Sequence, residues 1–164
     1  MLAGLLIPLC PARADLPHLI SVHGKWSAYN STEDGKKVCY MSSSPAKMGT
    51  SNPKDKRGDV YALITNRPAD GTKNVFSYIT GYTYKPQTDV IVSIDRQTFT
   101  LFTQDDTAWA RDGATDNKIA AAIRKGKTMI VKGISAHGVK TTDTFVLGGA
   151  KGAYDAISKD CTGK

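Results

Sequence analysis

The sequence predicts a mainly β protein, an antiparallel β-sandwich with one helix inserted late in the chain and a short helix at its C-terminus. Apolar and polar residues alternate in about eight short stretches separated by turn residues, which is typical of a sandwich. Helical periodicity is confined to two short segments in the last third of the chain. The length of 164 residues fits one compact domain with a sizeable core.

The densest apolar segment lies in the middle of the chain. Val90–Ile94 alternates apolar and polar residues, and the alternation resumes in Thr98–Phe102 after the polar pair Arg96-Gln97. Two alternating runs around a short polar break predict a β-hairpin with one buried face. Gln104–Thr107 then turns the chain into Ala108–Ala110. We expect this meander to form the middle of the sheet.

Shorter alternating stretches flank the meander on both sides. The segment Asp15–Gly24 leads into the first of them, in which Trp26 is expected to point inward. The segment Ser42–Asp59 is rich in Ser, Pro, Gly, Asn and Lys, and such a long loop is either functional or mobile. The remaining strands are predicted at Lys25–Tyr29, Lys37–Met41, Val60–Thr65, Asn74–Ile79, Thr128–Gly133 and Thr141–Leu147.

Two helices are predicted. The clearer one covers Ala114–Lys125, where Thr115 or Asp116 supplies the N-terminal cap, apolar residues recur at helical spacing and Gly126 ends the helix. The second covers Ala150–Ser158. Both are expected to cap the open ends of the sandwich.

The first fourteen residues are similar to a signal peptide. Leu2–Cys10 is apolar but too short to span a bilayer as a helix. Ala12-Arg13-Ala14 matches an A-x-A cleavage site, although the usual basic residues do not precede the apolar stretch. We expect residues 1–14 to be a cleaved signal peptide and residues 15–164 to form a single β-sandwich domain in the periplasm or on the outer surface.

Removal of the signal peptide would leave two cysteines, Cys39 and Cys161. An even number of cysteines in an exported chain predicts one disulfide. The last helix supports it, because Tyr154, Ile157 and Cys161 share one of its sides. Two separate buried thiols are the alternative. No histidine lies at metal-ligand spacing from either cysteine, and no metal or cofactor is expected.

The chain is basic, with a formal charge of +7. Such a surface favours anionic partners without choosing among them, and a basic surface that only keeps the protein soluble is the alternative. Nucleic acid is not expected as a partner, because aromatic residues do not alternate with a basic strand face and because an exported protein meets little of it. Weak association with an anionic membrane surface is retained as an expectation.

Two loop segments with basic and aromatic residues form the predicted contact surface. Its candidate residues are Lys54, Lys56, Arg57, Tyr82, Tyr84 and Lys85. The tyrosine rings are expected to cover the edge of the core while their hydroxyls reach water. The tripeptide Arg57-Gly58-Asp59 also has the sequence that integrins read on adhesive loops, but Gly-Asp before a strand is ordinary turn chemistry.

Signals of catalysis are weak. Ser135 and His137 are two residues apart in a hairpin connection, where they would project to the same face of a strand. They lack the final glycine of a nucleophile elbow and do not form a triad by themselves. His18 and His23 are five residues apart, before any firm structure, which is not the i, i+4 spacing of a helical metal site. We expect a protein that is not an enzyme, and a periplasmic enzyme or small-ligand binder using Ser135 and His137 is the alternative.

Several stretches, taken in order, are similar to a known family. They are Lys25–Tyr29, Lys37–Tyr40, Arg57–Tyr61, Phe102–Ala110, Lys132–Gly138 and Thr141–Phe145, with Tyr154–Ile157 and Cys161 near the end. Together they resemble the invasion-associated locus B family of exported proteins from Gram-negative bacteria. The resemblance implies an immunoglobulin-like β-sandwich, placement in the periplasm or on the outer surface, and a link to host-cell entry in some members.

The resemblance also bears on the disulfide and on function. Many relatives have a cysteine soon after the tryptophan motif, where this chain has Asn30, and this leaves Cys161 as the partner of Cys39. The family offers no established active site. We therefore expect a non-enzymatic interaction module, linked to host-cell entry or envelope function, with an envelope or host-surface protein as its partner. A structural envelope protein is a further alternative.

Overall fold

The computed structural model describes residues 15–162, and the expected signal peptide at residues 1–14 lies outside them. This part of the chain contains eleven strands and two α-helices. The strands are β1 His18–His23, β2 Trp26–Glu33, β3 Lys36–Ser43, β4 Lys47–Thr50, β5 Tyr61–Arg67, β6 Thr72–Ile79, β7 Val90–Ile94, β8 Gln97–Gln104, β9 Thr107–Trp109, β10 Thr128–Ile134 and β11 Lys140–Val146. The helices are α1 Gly113–Lys125 and α2 Ala150–Thr162.

All eleven strands join in one antiparallel sheet in the order β1-β2-β3-β5-β6-β9-β8-β7-β10-β11-β4. The sheet folds over at β8, whose residues 102–104 pair with β9 and whose residues 97–101 pair with β7. The first half consists of β1, β2, β3, β5, β6 and β9 with residues 102–104 of β8. The second half consists of β7, β10, β11 and β4 with residues 97–101 of β8. The halves face each other, so the predicted antiparallel sandwich is confirmed, and β7, β8 and β9 lie in its middle.

The core lies between the two halves. Trp26 of β2 is fully buried, as predicted, and its indole N–H donates to the carbonyl oxygen of Val146 at 3.0 Å across the interior. Tyr78 of the first half meets Phe145 of the second half edge to face, with ring centroids 6.2 Å apart. Each large apolar side chain buried in this way stabilises the fold by roughly 1.5–3 kcal/mol.

Helix α1 begins with a cap that differs from the predicted one. The carboxylate of Asp112 accepts a hydrogen bond from the backbone N–H of Thr115 at 2.7 Å, so neither Thr115 nor Asp116 is the cap. Asp116 instead faces the core and accepts from the N–H of Phe76 at 2.8 Å. Burial raises the pKa of Asp116, against the opposing effect of that N–H. Asp116 therefore joins the helix to β6.

Helix α2 is longer than predicted because the last turn is fixed to the sheet. Cys39 of β3 and Cys161 form a disulfide with a Cα–Cα distance of 5.8 Å, as expected from the cysteine count. Beside it, Asp160 accepts hydrogen bonds from the side chain of Asn30 at 2.8 Å and forms an ion pair with Lys37 at 3.0 Å. These contacts extend the helix to Thr162.

Two edge strands lie where the sequence predicts no strand. β1 pairs with β2, from His18 opposite Asn30 to His23 opposite Trp26, so the expectation that both histidines precede firm structure is wrong. β4 pairs with β11 at the other edge, inside the segment expected to be one long loop. An edge strand is held by one neighbour only, and a short one carries little periodicity of its own.

Candidate functional site

A cleft of about 450 Å³ opens at one end of the sandwich, between three connecting segments. They are the loop of residues 51–59, the connection of residues 81–88 and the turn of residues 135–139. The cleft brings together residues from both functional hypotheses: Lys54, Lys56, Arg57, Tyr82, Ser135 and His137. Its volume lies within the usual range for small-ligand sites, roughly 300–1,000 Å³.

Backbone hydrogen bonds fix the three segments to one another. The N–H of Ser51 donates to Lys140 at 2.9 Å, and the N–H of Ala136 donates to Thr83 at 2.8 Å. Two glycines cross at one of these contacts, where the N–H of Gly58 donates to the oxygen of Gly81 at 2.8 Å. Gly81 has a φ of +74°, and a Cβ there would lie 2.5 Å from the oxygen of Gly58, so this crossing requires glycine.

A buried ion pair lies beneath the cleft. The guanidinium of Arg57 donates from Nη1 to Oδ1 of Asp143 at 2.8 Å and from Nη2 to Oδ2 at 2.7 Å. Only 8% of the Arg57 side chain and none of the Asp143 side chain is exposed. Arg57 also donates from Nε and Nη2 to the carbonyl oxygen of Thr80, at 3.1 and 2.9 Å. This bidentate pair fastens the loop to β11 and to the end of β6.

Aromatic residues complete the network around this pair. The hydroxyl of Tyr78 donates to Asp143, and burial together with that carboxylate raises the pKa of Tyr78 far above its ordinary value. Burial alone would lower the pKa of Arg57, but the bonds and charge of Asp143 outweigh it and raise that pKa. The guanidinium stacks 5.0 Å from the ring of Tyr82, whose hydroxyl lies 2.6 Å from Oγ1 of Thr141.

Two residues of the predicted contact surface are largely buried. Arg57 is engaged with Asp143, so the structure gives no support to the adhesive interpretation of Arg57-Gly58-Asp59. Tyr84 is 3% exposed, and its hydroxyl makes no hydrogen bond within residues 15–162, although the Thr80 side chain acts to lower its pKa. Burial raises the pKa of Tyr84. The expectation that the tyrosine hydroxyls reach water is wrong for Tyr84, whose hydroxyl is buried, whereas Tyr82 is half-buried and lines the cleft.

The exposed cations of the predicted surface surround the cleft or lie beside it. Lys54 and Lys56 line the cleft, and Lys85 lies on the adjoining connection, where its N–H donates to Ile134 at 3.0 Å. Within residues 15–162 no ion pair holds any of the three lysine side chains. The cleft is also lined by one acidic residue, Asp55, so its mouth carries a small excess of positive charge.

The geometry around Ser135 and His137 is not that of an activated nucleophile. Ser135 is buried, and its Oγ accepts from the N–H of Val139 at 3.2 Å, which closes the turn. The His137 side chain is 84% exposed, and its Nδ1 lies 4.0 Å from a carboxylate oxygen of Asp55. In the part of the chain that the structure describes, no hydrogen bond joins Ser135 to His137, and no cluster of His, Cys, Asp and Glu could hold a metal ion.

Sequence reasoning missed the acidic partner of Arg57. Thr141, Asp143 and Phe145 occupy alternate positions of β11 and share its buried side. A lone carboxylate between two inward-facing residues requires a cationic partner, because an unpaired buried charge is strongly unfavourable. That signal was present in the sequence, but it does not say which of the cations is the partner.

The fold and the cleft define a two-layered antiparallel β-protein with a basic, ligand-sized cleft at one end. Within residues 15–162, no helix combines the length and apolar character needed to cross a membrane. The family model described as Invasion associated locus B (IalB) protein matches residues 26–158, which is most of the chain. The chain belongs to this family, and the resemblance noted in the sequence is confirmed. No curated protein and no solved structure matches the chain.

Proposed function

We propose that this chain is an exported, non-enzymatic interaction module of the cell envelope, and that its cleft holds an acidic segment of an envelope or host-surface protein. One observation carries the proposal: two exposed lysines without ion pairs, against the single acid Asp55, line a cleft whose floor is fixed by a buried ion pair. Lys54 and Lys56 offer charge at its mouth, and Tyr82 offers an aromatic wall. Such an arrangement binds carboxylate or other anionic groups through charge and surface contact, without a chemical reaction.

Rigidity of the cleft favours binding over catalysis. Arg57 is the strongest hydrogen-bond donor of the site, but Asp143 and Thr80 occupy its guanidinium, so it positions the loop. The hydroxyl of Ser135 is engaged with the backbone of its own turn. A nucleophile needs a base within hydrogen-bond reach, and the solvated His137 is not placed to serve Ser135 in this way.

Two observations support export. The Cys39–Cys161 disulfide is typical of oxidising compartments such as the periplasm, because the cytosol keeps most thiols reduced. The family is described as associated with invasion, which agrees with a place in the envelope or on the outer surface. We propose host-cell entry or envelope function as the setting in which the cleft meets its partner.

In-cell cross-linking followed by mass spectrometry tests the proposal. We expect the chain to capture an envelope or host-surface protein through the loop of residues 51–59. The double substitution Lys54→Glu/Lys56→Glu should reduce capture about tenfold or more, because it reverses two charges that face the partner. The matched control Lys118→Glu/Lys127→Glu makes the same charge change on exposed lysines outside the cleft.

Equal capture by both double variants would contradict the role of the cleft. Equal loss in both would indicate that net charge alone attracts the partner, as in weak association with an anionic membrane. A second candidate, a small-ligand binder, is favoured by the cleft volume of about 450 Å³ beside Ser135 and His137. It predicts a bound small molecule in native mass spectra that His137→Ala removes.

A further inference from the structure

The outer face of the first half is more apolar than the exposed face of a sheet usually is. Large apolar side chains at outward positions form a row across the first half that is interrupted at β6, where Ser77 takes the corresponding position. We call this row the outer stripe: Leu19, Tyr29, Tyr40, Leu63, Trp109 and Phe102. Register places Leu19 opposite Tyr29, and Tyr29 opposite Tyr40. Trp109 lies opposite Phe102 at the far end. Solvated faces of antiparallel sheets are usually polar, so this stripe requires an explanation.

A β-bulge brings the edge strand β1 into the stripe. Residues three apart on a regular strand point to opposite faces. The register shift between Leu19 and Ser21 instead places both Leu19 and Val22 on the outward side, opposite Tyr29 and Ser27. Leu19 is 47% exposed and Val22 is 59% exposed. The bulge therefore exposes two aliphatic side chains where a regular strand would expose one.

Neither helix covers the outer stripe. The buried residues of α1 and α2 belong to the core between the halves, and the Cys39–Cys161 disulfide holds α2 to the inner side of β3. The outer side has a shallow groove of about 360 Å³ in place of a packed element, with Pro17, Tyr40 and Leu63 among its lining residues.

Most of the charge on this face is paired within residues 15–162, although Asp15 lines the groove without an ion pair there. Strand alternation places three charged residues at outward positions of β2, β3 and β5, namely Glu33, Lys36 and Arg67. Arg67 forms an ion pair with Glu33 at 3.2 Å, and Lys36 forms one with Asp70 at 2.9 Å. A basic chain can therefore present this face to another basic surface without direct repulsion.

We propose that the outer stripe is the interface of a homodimer in which two copies pack this face against each other. An acidic partner gains no ion pair at a neutral face and is better served by the cleft. A twisted sheet packs best on another sheet of the same twist, about 10 Å away with the strands roughly aligned. The same face of a second copy supplies that surface, in a symmetric contact that closes as a dimer.

The size of the face indicates a weak dimer. Seven strands at about 4.8 Å spacing span roughly 29 Å, and about five residues along each strand span roughly 17 Å. The contact then covers about 500 Å² of each copy, or roughly 1,000 Å² in total, which is the lower limit for a specific interface. We therefore expect a dissociation constant in the micromolar range, on the order of 1–100 µM.

Sedimentation velocity over a concentration series tests the dimer, with tryptophan fluorescence as a second readout. The chain has two tryptophans, and Trp26 is fully buried in the core. A change of emission with concentration therefore reports on Trp109 in the stripe. We expect the sedimentation coefficient and the emission wavelength to change over the same concentration range.

Charge placed in the stripe should separate the copies. Leu63→Arg should raise the dimer dissociation constant about tenfold or more, because it buries two unpaired cations at the interface. Ile130→Arg is the matched control, since Ile130 is a partly exposed apolar residue facing outward from β10 of the second half. Val22→Arg, at a site that is 59% exposed, gives a second test without risk to folding.

A monomer at every concentration up to about 1 mM would overturn the proposal, since a dimer with the expected constant would be populated there. Unchanged dimerisation in both Leu63→Arg and Val22→Arg would overturn it as well, as would equal dissociation in Ile130→Arg. The double variant Lys54→Glu/Lys56→Glu should dimerise normally. Failure of the cleft proposal and failure of the dimer proposal are thus distinguished by separate variants.

Discussion

The cleft end and the outer stripe are opposites in the way they treat charge. At the cleft end an ion pair is buried, and the lysines at the surface have no partner within residues 15–162. On the outer stripe apolar side chains are half-buried or exposed, and most of the charges around them are paired within residues 15–162. Binding at the cleft should therefore weaken as salt is added, because exposed charges are screened. Association through the stripe should be nearly independent of salt.

The two regions are also stabilised differently. A covalent bond between Cys39 and Cys161 holds α2 under the stripe, whereas the Arg57–Asp143 ion pair holds the loop over the cleft. The disulfide contributes to the free energy of unfolding mainly by restricting the unfolded chain. The ion pair contributes only while both of its charges are present. Four sets of variants test the interactions that stabilise the molecule.

Loss of the disulfide should have the largest effect. It closes a loop with a sequence separation of 122 residues. The chain-entropy model assigns such a loop roughly 4–5 kcal/mol of the free energy of unfolding. We expect Cys39→Ala/Cys161→Ala to lose about this amount in urea unfolding followed by circular dichroism. Equal stability of the oxidised and reduced wild-type protein would contradict the prediction.

Breaking the buried ion pair should be nearly as severe. Arg57→Ala leaves the fully buried Asp143 carboxylate without its cation, which destabilises proteins by about 3–5 kcal/mol. The double variant Arg57→Met/Asp143→Leu removes both charges and should recover most of that loss. Chemical denaturation measures the free energy of unfolding of each. A double variant as unstable as Arg57→Ala would show that desolvation of the charge is not the cause.

Removal of one hydroxyl should distinguish paired from unpaired polar groups in the network. Tyr84→Phe deletes a buried hydroxyl that makes no hydrogen bond within residues 15–162, so we expect stability to be unchanged or to rise by about 1 kcal/mol. Its control, Tyr78→Phe, deletes the donor to Asp143 and should cost about 1–3 kcal/mol. Thermal unfolding of the two variants measures the difference in stability. A larger loss of stability in Tyr84→Phe than in Tyr78→Phe would contradict the view that the Tyr84 hydroxyl is unpaired within residues 15–162.

The smallest effect concerns pH and the end of α2. Partial burial opposes ionisation of Asp160, but Asn30 and Lys37 outweigh it and hold the pKa of Asp160 below its ordinary value. A carboxyl group with a lowered pKa stabilises the fold above its unfolded pKa, and this contribution disappears as pH falls through the folded pKa. Asp160→Asn should remove less than about 1 kcal/mol of acid-dependent stability.

Urea unfolding between about pH 6 and pH 2 checks this prediction. Asp155→Asn is the control, because Asp155 lies on the same helix in an exposed pair with Lys151. Its curve of unfolding free energy against pH should follow that of the wild type. A flattened curve in the control but not in Asp160→Asn would contradict the role of the Asn30 and Lys37 contacts.

Most strands and both helices could be predicted because their information is local. Apolar and polar residues alternate with a period of two around Trp26 and along the meander of β7, β8 and β9. Helix α1 has apolar residues at regular helical spacing before Gly126. β1 and β4 escaped prediction because their only support is the neighbouring strand. The cap of α1 was misplaced because Asp116 is drawn to the core by the N–H of Phe76, a group 40 residues away in sequence.

The candidate site could be predicted only in part. Lys54 and Lys56 line the cleft, and the sequence had placed both in a basic loop of the predicted contact surface. Arg57 and Tyr84 come from the same kind of sequence but are buried. The burial of Arg57 depends on Asp143, which is 86 residues away in sequence, and no local pattern encodes that pairing.

The sequence by itself determined the class of fold, the pair of cysteines and the basic character, because periodicity, cysteine count and charge are properties of the chain. Tertiary structure alone decided which cations are exposed and which are paired, and it gathered Ser135, His137 and the basic loop around one cleft. It also decided that neither α1 nor α2 covers the apolar residues of one sheet face. The physical reason is that burial and pairing depend on contacts between distant segments, which exist only once the sheet has folded over on itself.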